Sequence, residues 1–430
     1  MRAVVYFALM FAAIAIVGLY QSWNVAFAIL NLCLISGVMA LGVNIQWGYA
    51  GLFNVGIMGF SALGGAAAML IAVPAVPEAW AAGGAGVLMS GAVVAATAGL
   101  IFYIRQVRGI YLGPWLTAGI VIAGYIAARV FFDPATDAIE RVNPAVSGYL
   151  GGLGLPIILA WFVGGVIAAG AAWAVGKIAL GLRSDYLAIA TLGISEIIIA
   201  VLKNEDWLTR GVKNVAGLPR PVPYEVDLLA SPRFQEFAAG LGAETATAAS
   251  IVVKLSYAGL IIAVLAILMW LSERALKSPW GRMMRAIRDN RDAASAMGKN
   301  VTARHLQVFV LGSAVCGIAG AMLTTLDGQF TPTSYIPLRY TFLIWVMVIL
   351  GGSGNNWGSV LGGFVIWFVW IEAEPVGLWF MAMLTSFLPD GNALRAHMID
   401  AAPHMRLFLM GLILLVVMRY APRGLLPERT

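Results

Sequence analysis

Between two long apolar runs, residues 251–271 and 306–326, lies the one strongly charged stretch of the chain, residues 272–304, with eight Lys or Arg and three acidic residues. Each flanking run is long enough to cross a bilayer, for which about 20 apolar residues suffice. The charged stretch cannot enter hydrocarbon, so it is a loop on one face of a membrane. A loop this basic is expected on the cytoplasmic face, and that placement orients everything else.

Composition points the same way. Hydrophobic residues are 61% and charged residues 11%, with mean hydropathy +0.87, against about 25% charged in an average soluble domain. A core of 430 residues cannot hide that much apolar surface from water. The expected fold is an all-α polytopic bundle of about 10–12 transmembrane segments, a single membrane domain over residues 1–430. The net charge of +6 collects in short loops, which orientation in a membrane explains without any nucleic acid. Cys33 and Cys316 lie far apart in apolar runs, and His305, His397 and His404 form no ligand pattern, so neither a disulfide framework nor a metal site is indicated.

The apolar runs are residues 4–20, 25–43, 49–73, 82–104, 110–132, 149–175, 186–202, 251–271, 306–326, 340–350, 360–371 and 407–418. The first is followed at once by a second apolar run that begins by Val25, and it reads as a retained span rather than a signal peptide. The tenth and eleventh are short, and the glycine-rich run Gly351 to Gly358 between them suggests half-helices around a buried loop. Alternating the spans from an inside N-terminus places both termini in the cytoplasm, together with Arg105, Arg108, Lys177, Arg183, Arg419, Arg423 and Arg429. Residues 133–147, 203–250 and 372–405 then form outer loops. The largest, 203–250, holds five basic and six acidic residues and has no positive bias. A faint internal echo relates Arg108-Gly109-Ile110-Tyr111-Leu112 to Arg183-Ser184-Asp185-Tyr186-Leu187, as internal repeats in transporters do.

Within the basic loop, Pro279 and Gly281 set a turn. No Gly or Pro interrupts Arg282 to Met297, most residues there are good helix formers, and Gly298 suits a stop. One short amphipathic helix is predicted, with Arg282, Arg285, Arg288 and Arg291 as a basic stripe and Met284, Ile287, Ala294 and Met297 as an apolar face. Such a helix either rests on anionic headgroups or docks a cytoplasmic partner, with Ala286, Ala293 and Ala294 permitting close approach.

Two places in the spans could carry function. Glu196 is a lone carboxylate inside span 186–202, and intramembrane ionisable groups are costly. It could line a polar path, pair with an Arg or carry a proton; equally it could reach a wet vestibule with no part in transport. Around Asn44, Gln46, Gly48, Gly51, Asn54 and Ser61, amides and glycines interrupt an apolar run. A discontinuous helix there could grip a zwitterion through backbone groups, or the amides could bond helix to helix.

Asp292-Ala293-Ala294-x-x-x-Gly298 resembles the Glu-Ala-Ala-x-x-x-Gly loop of ATP-binding-cassette importer permeases, with Asp for Glu. Leu41-Gly42-x-Asn44 followed by Gly48-x-x-Gly51-Leu52 is similar to the LivM-type branched-chain amino acid permeases. So are Arg183-x-Asp185-Tyr186-Leu187 with Thr191, Gly193 and Glu196, Val348-Ile349-Leu350-Gly351-Gly352, and Pro422-Arg423-Gly424-Leu425-Leu426. The resemblance implies an inner-membrane importer subunit, not an enzyme, with a homologous second permease chain, two cytoplasmic ATPase subunits that bind ATP and Mg, and a periplasmic binding protein. It implies that Arg282, Arg285, Ala286, Arg288, Asp289, Asp292, Ala293, Ala294, Met297 and Gly298 form the ATPase-coupling element. It further implies a translocation path through Asn44, Gly48, Gly51, Asn54, Tyr186, Thr191, Gly193 and Glu196. Two features depart from the family pattern: residues 106–175 look like additional spans, and Arg210-Gly211-Val212-Lys213-Asn214 stands where the pattern favours Gly-Gly-Pro-Asn-Gly.

None of the six lysines sits in a phosphate-binding G-x-x-x-x-G-K-[ST] run, so if ATP drives transport, another polypeptide must bind it. The competing readings are a proton- or ion-coupled secondary transporter or channel built on Glu196, and a membrane scaffold that transports nothing.

Overall fold

A computed structural model of the chain describes residues 2–107, 113–144, 147–240, 242–389 and 392–428. Its principal helices are α1 (Arg2–Tyr20), α2 (Trp23–Ala50), α3 (Ile57–Ala72), α4 (Pro77–Gln106), α5 (Pro114–Arg141), α6 (Ile157–Ala179) and α7 (Ser184–Asn204). They continue as α8 (Thr245–Lys277), α9 (Pro279–Asp289), α10 (Arg291–Ala296), α11 (Val301–Asp327), α12 (Pro337–Gly351), α13 (Asn356–Leu384) and α14 (Met405–Tyr420). Among the described residues, ten helical stretches are long and apolar enough to cross a membrane, the last of them Ala393–Tyr420, which ends in α14, and α3 and α12 are shorter apolar helices. This is the expected polytopic helical bundle. Among the described residues a two-stranded sheet pairs β1 (Val215–Ala216) with β2 (Gln329–Phe330), antiparallel. Arg108 to Leu112 of the internal echo, and Arg429, lie outside the described residues.

Several boundaries move. The run expected as one span over 49–73 is broken: Ala50 ends α2, residues 51–56 are not helical, and α3 begins at Ile57. Gly51 makes the break, since at φ +67° it returns its N–H to Gln46 and Trp47 in a left-handed cap that glycine adopts without penalty. The expected half-helix at 360–371 is instead the 29-residue α13. It runs through Glu372 and Pro375, so no outer loop starts at residue 372. Inside it, Gln21 Nε2 donates to Glu372 Oε2 at 2.7 Å, while Glu372 Oε1 is buried without a partner. Likewise α5 continues through Asp133 to Arg141 and absorbs most of the expected loop 133–147. The segment after α7 is built from the short helices Asp206–Thr209, Glu225–Ala230 and Pro232–Gly240 and from β1.

The core is a glycine-lined crossing of α2, α3, α6 and α11. A Cβ on Gly64 would stand 1.8 Å from the Gly317 carbonyl oxygen, and one on Gly320 would stand 1.9 Å from that of Ser61. Bare backbone at both partners lets the axes approach, which is how helices associate where apolar burial gives no drive between them. By contrast α4 and α5 form a peripheral hairpin whose apolar side chains are mostly exposed, as suits a surface facing lipid.

The basic loop and both ends of the chain lie at one end of the bundle. Phe7 on α1 meets Trp357 at the start of α13, ring to ring at 6.0 Å. The C-terminal tail returns to the same place, where Leu425 and Leu426 donate to the Leu350 and Gly351 carbonyls at 2.8 and 2.9 Å.

Candidate functional site

The basic loop folds as two helices, not the single helix predicted over 282–297. Ser278 caps α9 by accepting from Gly281 N–H, and Pro279 occupies its first turn, where its missing N–H costs nothing. At Asn290 the backbone turns extended (φ −153°, ψ 98°) and the side chain accepts from Ala293 N–H, which starts α10. The rule that overrode helix propensity is Asn's preference for the cap. Gly298 follows at φ +75° as the expected stop.

Met284 and Ile287 bury α9 on the bundle. Gly281 lies so close to the end of α8 that a Cβ would be 2.3 Å from the Leu276 carbonyl oxygen. The basic stripe then divides. Arg285 Nη2 donates to the Leu276 carbonyl at 3.2 Å, and Arg288 Nη1 pairs with Glu428 Oε2 of the tail at 2.9 Å. Arg288 also donates to the Gly48 carbonyl in the last turn of α2, where the helix dipole favours a cation. These two arginines therefore fasten the loop to its own bundle. What faces away is Arg282, Ala286, Asp289, Arg291, Asp292, Ala293, Met297 and Gly298. Ala294 is buried, whereas Met297 is 79% exposed. The apolar face expected of one helix is thus split, with Met284 and Ile287 turned inward and Met297 turned outward.

Beneath α9 several of the candidate path residues belong to two hydrogen-bonded clusters, one around Asn44 and one around Gln46. Asn44 Nδ2 donates to Asn356 Oδ1 at 3.0 Å, and Asn44 Oδ1 accepts from Gly354 N–H at 2.8 Å. Tyr49 donates its hydroxyl to the same Asn356 oxygen, and Asn356 Nδ2 donates to Glu273 at 3.0 Å. Gln46 Nε2 bonds the Phe309 carbonyl and Ser313, both at 3.0 Å, while Asn54 Nδ2 donates to Gln46 Oε1 at 2.9 Å. Gly48 has no room for a side chain, since a Cβ would lie 2.2 Å from Asn44 Oδ1. Buried amides so paired are stabilising, whereas each left alone would cost roughly 1–3 kcal/mol.

The broken segment 51–56 also reaches α7. Val55 N–H donates to Thr191 Oγ1 at 3.0 Å, and Trp345 Nε1 donates to the Asn54 carbonyl at 3.0 Å. These bonds tie the discontinuity to α7 and α12. Thr191 and Ser195 pack inward, while Tyr186 (62% exposed), Gly193 and Glu196 lie on the opposite, outward face of α7. The structure therefore separates the expected path residues: Asn44, Gly48, Gly51, Asn54 and Thr191 form an internal hub, and Tyr186, Gly193 and Glu196 do not join it. Sequence reading missed Glu428, Asn356 and Glu273. The only signal for Glu428 was an acidic residue in a basic tail, Arg423 to Arg429.

A family model described as "Branched-chain amino acid transport system / permease component" matches residues 142–418. The chain is 28% identical over 205 residues to the "High-affinity branched-chain amino acid transport system permease protein LivM" of Salmonella typhimurium, covering 47% of each chain. It is 27% identical over 310 residues to the "Probable branched-chain amino acid transport permease protein LivM" of Methanocaldococcus jannaschii, covering 71% of this chain and 76% of that one. The Escherichia coli protein of the same description as the first is 28% identical over 207 residues, 47% of this chain and 48% of its own. The matched part thus spans about half the length of two of these curated relatives. No solved structure matches the chain.

Proposed function

Because the chain belongs to the family of branched-chain amino acid transport permease components, we propose that it is the membrane subunit of an ATP-driven importer of branched-chain or related small amino acids. It works in the bacterial inner membrane with the basic loop and both termini in the cytoplasm. A homologous second permease chain completes the pore, two ATPase subunits supply ATP hydrolysis with Mg, and a periplasmic binding protein delivers substrate.

The observation that carries this reading is the two-sided basic loop. Arg285, Arg288, Met284 and Ile287 hold α9 against the bundle, while Ala286, Ala293 and Met297 stand free on the other side. A surface helix serving only to rest on lipid has no need of ion pairs to the C-terminal tail. A docking element pulled by a motor does, because force must pass into the spans. The route for it is continuous: ATPase closure moves α9 and α10, Arg288 bears on Gly48 and Gly51 at the end of α2, and the Gln46–Asn54–Val55–Thr191 bonds carry the displacement to α7. On α7, Glu196 and Gly193 face outward, and a carboxylate in that position needs water or a polar neighbour. In this account it faces the second permease chain across the path.

Proteoliposomes separate this from a self-contained carrier. The assembled complex is expected to take up leucine only with internal ATP, and Glu196→Gln is expected to reduce the rate without creating a dependence on a pH gradient. Leucine flux through this chain alone, driven by a pH gradient and abolished by Glu196→Gln, would establish the carrier instead.

A further inference from the structure

Well away from the basic loop, α2, α3, α11, α12 and α13 enclose a cavity of about 260 Å³. Small-ligand pockets run from roughly 300 to 1,000 Å³, so the cavity suits a compact ligand. Its deep part is apolar, with Met39, Met58 and Met347 among the lining residues, and unbranched thioethers adapt to differently shaped guests. Its other end, beside β2, is polar and includes Asp327, Thr331 and Ser334. This end is opposite the basic loop along α11, hence on the outer side.

The lining offers an unpaired carboxylate at its mouth and two buried donors without a partner. At the open, polar end the exposed Asp327 has, among the described residues, no ion pair and no side-chain hydrogen bond, and Arg220, which approaches Gly328, pairs with Glu225 at 3.5 Å instead. Thr331 Oγ1 and Trp367 Nε1, both in residues lining the cavity, are buried without a partner. Buried polar groups are nearly always bonded, and each orphan costs roughly 1–3 kcal/mol. By contrast Tyr335 and Thr324, in the same wall, satisfy one another at 2.8 Å, so the deficit is local.

We propose that this cavity is a binding site for a small ligand with a cationic amine and an apolar body, the amine on the Asp327 carboxylate and the body among the methionines. A zwitterionic amino acid fits, its carboxylate accepting from the orphaned donors. The inference builds on the transport reading, since it gives the translocated amino acid a resting place within this one chain rather than only between two.

The test uses the assembled complex carrying Ser334→Cys; Cys33 and Cys316 are buried and serve as silent background. Modification by a small neutral thiol reagent added from outside is timed with isoamylamine, isovalerate or leucine present. Isoamylamine and leucine are expected to slow labelling at least tenfold and isovalerate to leave it unchanged. Adding Asp327→Asn is expected to remove the protection and Asp327→Glu to keep it, with an unaltered labelling rate in the absence of probe showing that the cavity is intact. Equal protection by the amine and the acid, or none by either, overturns the proposal. Intact ATP-driven leucine uptake without amine protection refutes the cavity site alone. Amine protection without uptake refutes the transport reading and leaves the site.

Discussion

Ala293→Arg and Met297→Asp are expected to abolish ATP-driven uptake, each lowering it about thirtyfold or more, with little change in the permease itself. The two residues lie on the outward side of the loop, and Met297 is 79% exposed. Surface substitutions of this kind alter stability by no more than about 0.5 kcal/mol. At a docking surface the same changes are severe. A central apolar contact contributes roughly 2 kcal/mol or more, and every 1.4 kcal/mol is about tenfold in affinity. An arginine at position 293 would also fill the space that a small residue leaves for a partner's close approach. The check is ATP-driven leucine uptake alongside the melting temperature of the isolated permease. Uptake should collapse while the melting temperature holds. Unchanged uptake would mean that this face touches only lipid and water.

Gly64→Val is expected to remove folded permease from the membrane, a larger structural effect than any other single substitution considered. The Cβ alone would meet the Gly317 carbonyl oxygen at 1.8 Å, and across the same crossing a Cβ on Gly164 would meet Gly64 Cα at 3.1 Å. Overpacking usually costs about 1–3 kcal/mol where a side chain can move aside. Here the obstacle is the backbone of α11, so three helices would have to part. Gly91→Ala, on α4 with nothing within 4 Å of its Cβ, is the matched control and is expected to leave yield and melting temperature unchanged. The comparison is the monodisperse fraction in detergent. Equal yields for the two variants would disprove the close crossing.

How much of this could be read from residues alone differed by feature, for physical reasons. Span existence was legible because each run must satisfy the bilayer by itself, whatever its neighbours do. Span limits were not: Glu372 looked like the start of a loop because its partner, Gln21, is remote in sequence. The arginine stripe was legible as charge, but its division into anchoring and outward-facing members depends on Glu428, Leu276 and Gly48, which no local pattern announces. The helix break at Asn290 was legible in principle, since Asn followed by a charged turn is an ordinary start signal, but the unbroken run of helix formers outweighed it. The polar character of Asn44, Gln46 and Asn54 was plain, whereas their use depended on which amide each one finds in the folded chain. The cavity around Asp327 left no trace in sequence, because five helices contribute to it.

The account rests on the outward face of the basic loop gripping a cytoplasmic motor, and cross-linking measures that contact directly. With Met297→Cys as the accessible thiol in membranes containing the whole complex, a short bifunctional thiol reagent is expected to join the permease to an ATPase subunit. The yield should change when ATP is added. Modification of that thiol by an impermeant reagent from the outer side, or cross-links to the ATPase that form only from other loops, would contradict it.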